Sequence, residues 1–167
     1  MAEEIHDPVQ RYRMSLHREG ENLIVETRVE PGGGVPMHFH PHQEELFSIQ
    51  AGQVRFKVGR RSLVAGPGDE LVVPPGTKHR FKNAGDGEAR FRAELRPALD
   101  AQGFFEDTSA AAREGLFTRQ GIPTSLRGAR RGAEILDRYK DVAVVCNPPR
   151  FLQRIMIALL VRPREGG

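Results

Sequence analysis

Two histidines separated by one residue, His38 and His40, constrain this chain of 167 residues more than any other feature. On an extended strand, residues i and i+2 point to the same face, so both imidazoles are expected to aim at one point. Glu45 follows after the turn residues 41–43 and begins an alternating run that continues with Phe47 and Ile49. Two imidazoles and a carboxylate that converge from neighbouring strands are typical ligands of a divalent transition metal.

A second stretch, residues 68–83, offers a further histidine to the same site. His79 follows a Pro-Pro-Gly sequence at 74–76, which predicts a chain reversal immediately before it. A hairpin partner at this position could bring the imidazole against the first three side chains. The sequence therefore supplies four candidate metal ligands.

These two stretches resemble the two sequence motifs of the cupin superfamily. The first motif corresponds to Gly32, His38, His40, Glu45 and Gly52. The second motif corresponds to Gly68, Pro74, Gly76, His79 and Asn83. The resemblance covers roughly residues 20–97, and the short spacer between the motifs looks like that of compact microbial members, including the quercetin-dioxygenase-like small cupins.

The resemblance implies an all-β fold, an antiparallel jelly-roll or β-barrel, with one divalent metal inside. His38, His40, Glu45 and His79 would hold that metal, which in cupins can be Fe, Mn, Ni, Cu or Zn. Glu45 would also be the possible catalytic base. The family further implies a homodimer.

Hydrophobic alternation agrees with a barrel and divides the chain into three parts. Residues 1–19 are expected to form a loose start and a weak strand that is either a sheet edge or an arm to a partner subunit. Residues 20–97 read as a series of short strands separated by Gly and Pro turns, which is typical of a barrel or jelly roll. The strands are predicted at 23–30, 36–40, 45–50, 54–58, 62–65, 71–73, 78–82 and 89–97.

Residues 98–167 are predicted to be a helical extension that packs on the barrel or on a partner subunit. Residues 98–106 are expected to be a loop or a short helical turn. Helices are predicted at 108–116, with Thr108 or Ser109 as N-cap, at 123–139 and at 150–161. The last helix is strongly apolar and is flanked by arginines, so packing competes with contact to a membrane surface. Packing is the favoured interpretation, and membrane contact is not expected.

Composition narrows the class of protein. The single Cys146 excludes an intramolecular disulfide, and the acidic N-terminus is unlike a secretory signal. A cytoplasmic protein is therefore expected. Residues 110–167 contain 11 basic and 5 acidic residues, an excess of six positive charges. We interpret these basic residues as the solvent-exposed face of the predicted helices. No nucleic-acid partner is expected, because no nucleic-acid recognition motif accompanies them.

Several residues near the motifs compete for roles in the site. Glu45 is favoured over Glu44 as the metal ligand because it lies on the same face of the predicted strand as Phe47 and Ile49. His42 is expected at the rim, and Asn83 is expected to fix a turn. Gln43 is expected to reach the cavity mouth. The inward residues predicted to line a substrate pocket with Gln43 are Phe47, Ile49, Phe56, Val73, Phe81 and Phe91.

The ligand set and the apolar pocket favour an enzyme, with three hypotheses left open. The first is a mononuclear, dioxygenase-like oxygenase acting on a small aromatic or enolic compound. The second is a metal-dependent isomerase, decarboxylase or lyase. The third is a barrel that binds a small molecule without catalysis, because one fold can host all three functions. Since metal binding requires neutral imidazoles and an ionised carboxylate, the site is expected to lose metal at low pH.

Overall fold

Alternating inward and outward side chains build two antiparallel sheets that share one core. The computed structural model describes residues 4–161. The first sheet has six strands in the order β1-β2-β3-β10-β5-β8, and the second has five in the order β11-β4-β9-β6-β7. The all-β jelly-roll or barrel fold predicted from the sequence is confirmed, together with its C-terminal helices.

The elements are short, as expected for a small barrel. The strands of the first sheet are β1 (Glu4–Asp7), β2 (Tyr12–Glu19), β3 (Asn22–Val29), β10 (Ala89–Arg96), β5 (Glu44–Ala51) and β8 (Glu70–Val73). Those of the second sheet are β11 (Val144–Val145), β4 (His38–Phe39), β9 (His79–Asn83), β6 (Val54–Val58) and β7 (Arg61–Ala65). The helices are α1 (Ala101–Arg113), α2 (Leu126–Arg138) and α3 (Arg150–Leu160).

Phenylalanines from both sheets fill the space between them. Phe47 and Phe56 contact each other edge to face with ring centroids 4.9 Å apart, and Phe81 and Phe91 do so at 5.0 Å. All four side chains are at least 92% removed from solvent. Burying an aromatic side chain stabilises a fold by about 1.5–3 kcal/mol, so this cluster is a major source of stability for the barrel.

Glycine is required where the chain passes close to its neighbours. A Cβ on Gly34 would clash with the Phe81 carbonyl oxygen, in the loop that leads to β4. Gly52 has a φ of +72°, and a Cβ at this position would lie 2.9 Å from the Cα atom of Ala89. Both positions therefore exclude side chains, which explains the glycine-rich turns on either side of β4 and β5.

The N-terminal arm belongs to the barrel of its own chain. β2 pairs with β3, and β1 pairs with β2 to form the edge of the first sheet. The loose start predicted for residues 1–8 is wrong for β1, because tertiary pairing stabilises a strand too short to be recognised by its alternation. Residues 1–3 lie outside the described residues.

The first helix of the extension also differs from the prediction. The sequence predicts a loop or short turn over residues 98–106, but α1 begins at Ala101 and is continuous to Arg113. Thr108 is not an N-cap; its hydroxyl donates to the Phe104 carbonyl at 2.7 Å inside the helix. Such internal bonding satisfies a Thr side chain without ending a helix, so the capping interpretation is wrong.

The apolar helix α3 packs on α2 and leaves one face open. Gln153 is buried and donates to the carbonyls of Val145 and Pro148. The exposed apolar side chains of this helix are Phe151, Leu152, Ile155 and Leu159. The predicted homodimer could use this face, and it stays a prediction. Between residues 4 and 161, no helix is long and apolar enough to cross a membrane.

Tyr139 fastens the second helix of the extension to the first. Its side chain is 1% exposed, and its hydroxyl donates to Asp107 Oδ2 at 2.7 Å, while Arg131 holds Asp107 Oδ1 at 2.7 Å. This bond joins the end of α2 to the middle of α1.

We expect Tyr139→Phe to lower the free energy of unfolding by about 1–2 kcal/mol, since it removes a hydrogen bond to a carboxylate. Urea denaturation measures the change. Leu126→Ala is the control, because Leu126 is 77% exposed and its loss should cost less than about 0.5 kcal/mol. An unchanged midpoint for Tyr139→Phe would show that this bond does not stabilise the fold.

Candidate metal centre

Three strands bring the four candidate ligands together. His38 in β4 pairs directly with His79 at the start of β9, His40 follows β4, and Glu45 lies near the start of β5. One ligand atom from each side chain lies within 4.8 Å of the other three. The structure therefore forms a cluster that could hold a metal ion, and its occupation by metal stays a prediction.

Each imidazole in the cluster is oriented by a backbone carbonyl. Nδ1 of His38 bonds the Pro36 carbonyl at 2.9 Å, Nδ1 of His79 bonds that of Thr77 at 2.8 Å, and Nδ1 of His40 bonds that of Val142 at 2.7 Å. Because a carbonyl only accepts, each Nδ1 must carry the proton. The Nε2 atoms are then left to bind a metal, as histidine ligands with such carbonyl partners usually do.

Glu45 completes the cluster with a negative charge. Its Oε2 lies 2.9 Å from Nε2 of His79 and 3.5 Å from Nε2 of His40. With every Nδ1 protonated, unprotonated Nε2 atoms would present lone pairs to a carboxylate, so either a metal ion or a proton on an Nε2 atom must lie between them. A divalent metal suits this donor set, which contains three imidazole nitrogens and one carboxylate.

The electrostatics of the cluster favour a neutral imidazole beside an ionised carboxylate. Burial, aided by the other two imidazoles, lowers the pKa of His38 to about 3. Burial alone would raise the pKa of Glu45, but hydrogen bonds from His40 and His79 lower that pKa well below its usual range. His38 is therefore a neutral ligand and Glu45 a charged one at physiological pH.

Three residues near the cluster take the places expected from the sequence. Glu44 points outward and lies 3.6 Å from Arg96, whereas the Glu45 side chain is buried. His42 is at the rim, 3.7 Å from Asp141. Asn83 fixes the loop after β9, since its amide donates to the carbonyls of Val29 and Gly87.

Gln43 is the exception, because it does not reach the cavity. Its side chain is 1% exposed, and its amide donates to the carbonyls of Pro97 and Ala98 at 2.8 and 2.9 Å. The amide thus ties the start of β5 to the chain leaving β10. The prediction that Gln43 reaches the cavity mouth is wrong, because this backbone contact holds the side chain away from the residues that line the cavity.

A cavity of about 520 Å³ opens on the cluster and reaches His38, His40 and Glu45. Two predicted lining residues, Phe81 and Phe91, form part of its wall. The remaining four do not line it and instead fill the core between the sheets: Phe47, Ile49, Phe56 and Val73. The alternation of side chains along each strand predicted that these residues point inward. Their position along the barrel decides whether they line the cavity or fill the core.

Sequence reasoning missed the residues that cover the cavity. The roof comes from the C-terminal extension, and the end of the first sheet adds Asp7 and Tyr12. Roof residues include Phe104, Phe105, Phe117, Ile135, Leu136 and Met156. Their apolar character predicted burial, but no local pattern identifies the cavity they bury against. β11 connects these covering residues to β4, because Val145 pairs with His38.

Comparisons with known proteins match the barrel part of the chain. Residues 25–95 match the protein family described as the cupin domain. Protein SchB of Streptomyces halstedii is 35% identical over 69 residues, 41% of this chain and 50% of that protein. Polyketide synthase CurC of Streptomyces cyaneus is 30% identical over 69 residues, 41% of this chain and 45% of that protein. The chain thus spans about half the length of the curated relatives it matches.

A solved structure agrees with the fold. An RmlC-like cupin from Shewanella frigidimarina superposes with a TM-score of 0.55 at 16% identity, over 61% of this chain and 89% of that one. At this identity the similarity concerns the fold. The motifs, the family match and this superposition together establish a cupin barrel.

We expect the purified protein to bind about one divalent transition metal per chain, and His79→Ala to lose most of it because one of four ligands is removed. Elemental analysis after dialysis against Fe(II), Mn(II) or Zn(II) measures the content. His42→Ala is the matched control, since His42 lies at the rim with its side chain 63% exposed. Equal metal content in His79→Ala and wild type would contradict this ligand set.

Proposed function

We propose that this protein, whose β-barrel belongs to the cupin superfamily, is a metal-dependent oxygenase acting on a small aromatic or enolic compound. The observation that supports this most is the apolar cavity of about 520 Å³ that ends on the cluster of His38, His40, Glu45 and His79. Cavities of this size take drug-sized ligands.

The four side chains of the cluster would hold a metal from one side. With three neutral imidazoles and one carboxylate, a divalent ion there would have a net charge near +1, which suits an enolate oxygen. When bound, a redox-active metal supplies the electron-transfer step by which such a substrate reacts with O₂. The residues His38, His40, Glu45 and His79 fix the position of that chemistry at the end of the cavity.

The cavity wall selects the substrate and excludes water. Phe81 and Phe91 lie beside the cluster, and Phe104 and Phe117 cover it from the extension. Aromatic side chains of this kind pack on flat, apolar rings. A sugar phosphate would meet few polar partners here, whereas an aromatic enol would be desolvated and held.

Glu45 is the base we assign to the reaction. Of the two carboxylates among the described lining residues, Asp7 and Glu45, only Glu45 belongs to the cluster. Its lowered pKa keeps it ionised at physiological pH. Because a low pKa also makes the carboxylate a weak base, proton transfer from an enol that faces the cluster would depend on a metal held there, which would lower the pKa of the enol.

The relatives support the substrate class. The name of CurC describes a polyketide synthase, and polyketide-derived compounds are rich in aromatic rings and enols. We therefore place the substrate of this chain among polyketide-type aromatic enols.

Oxygen uptake tests the proposal. We expect the Fe(II)- or Mn(II)-loaded protein to consume O₂ with at least one member of a panel of flavonols and hydroxynaphthoquinones, at a rate at least about 100-fold above that of Glu45→Ala. His42→Ala should keep the wild-type rate. Oxygen-independent isomerisation or decarboxylation of a panel member would overturn the oxygenase and favour a lyase or isomerase. Binding without any turnover would favour a binding barrel.

A further inference from the structure

The cavity extends from the candidate metal ligands to the outer edge of the first sheet. It follows the inner face of the first sheet from β5 through β10, β3 and β2 to β1. The inner-face residues on this path are Glu45, Phe91, Ala93, Val25, Thr27, Met14, Tyr12 and Asp7. A cavity of this shape suits an elongated ligand.

The far end of this path is polar, unlike its middle. Asp7 and Tyr12 pair directly across β1 and β2 and are 4% and 5% exposed. Asp7 Oδ1 accepts from the backbone N–H groups of Val9 and Gln10 at 2.9 and 2.8 Å. The strand pairing places the Tyr12 side chain beside that of Asp7, and the Ser109 side chain is a further neighbour of Tyr12. The turn after β1 accounts for Oδ1, and both residues also line the cavity.

A buried carboxylate is costly unless polar groups surround it. Burial raises the pKa of Asp7 and also that of Tyr12, although hydrogen bonds to Asp7 partly offset the first effect. A polar pair of this kind in a mostly apolar cavity would be placed to orient a ligand, since few well-placed polar groups determine specificity in such sites.

We infer that the cavity takes an elongated, mostly apolar compound. Its enolic oxygen would lie at the four candidate metal ligands, and a hydroxyl group at its other end would bind Asp7 and Tyr12. The near end rests on the proposed function; the far end rests on the cavity and the Asp7–Tyr12 pair alone. Both residues lie outside residues 25–95, the part that matches the cupin family. The pair is thus a specificity feature of this chain rather than of the barrel motifs.

Two flavonols that differ by one hydroxyl group test this inference. Kaempferol has a 4′-hydroxyl on the ring remote from its enol, and galangin lacks it. We expect wild-type protein, loaded with metal and kept under argon, to bind kaempferol about 5- to 10-fold more tightly than galangin, the effect of one hydrogen bond in a buried site. Titration of flavonol absorbance measures both affinities without turnover.

Substitutions at the far end should abolish this preference. Tyr12→Phe is expected to weaken kaempferol binding to within about 2-fold of galangin and to leave galangin binding unchanged. Asp7→Asn keeps an oxygen for the turn and is the second variant, in case Tyr12→Phe does not fold. Leu126→Ala is the control, because Leu126 is 77% exposed and does not line the cavity; it should keep the wild-type preference.

The outcomes separate this inference from the proposed function. Equal affinity for the two flavonols in wild type, a preference that survives both substitutions, or failure to bind either compound would overturn it. A preference that depends on Tyr12, in protein that then consumes no O₂ when air is admitted, would support the far-end site and contradict the oxygenase.

Discussion

Three hydrogen bonds from histidine Nδ1 atoms to backbone carbonyls determine what this barrel can do. They fix a proton on Nδ1 of His38, His40 and His79 and turn the three Nε2 atoms toward the cluster that includes Glu45. Without them, the rings could rotate and either nitrogen could face the carboxylate. The carbonyls of Pro36 and Thr77 lie two residues before their histidines, so short loops next to the strands orient two of the ligands.

The third carbonyl gives the C-terminal extension a part in the metal centre. Val142 lies 102 residues from His40 in the chain, yet its carbonyl orients that imidazole. The same segment continues into β11, which pairs with β4 at His38. The extension also covers the cavity through Phe104 and Phe117. The orientation of His40 and the enclosure of the cavity therefore depend on the same packing, to which the Tyr139–Asp107 bond contributes.

Features set by neighbouring residues could be predicted from the sequence, whereas features set by distant contacts could not. Spacing placed His38, His40 and Glu45 at one site, and alternation gave most barrel strands. Alternation also showed that Phe47 and Phe81 point inward, but only the tertiary fold decides that Phe81 meets the cavity while Phe47 fills the core. Tyr12 and Asp7 became neighbours through pairing of β1, a strand of four residues whose stability comes from that pairing.

The most direct test of the metal centre is X-ray absorption at the edge of the bound metal. The ligand geometry predicts scattering from three imidazole rings, with nitrogen at about 2.1 Å, and from at least one oxygen. His38→Ala and His40→Ala should each remove one imidazole contribution. A spectrum with only oxygen ligands, or with a sulfur ligand from Cys146, would contradict a metal centre built from three histidines and one glutamate.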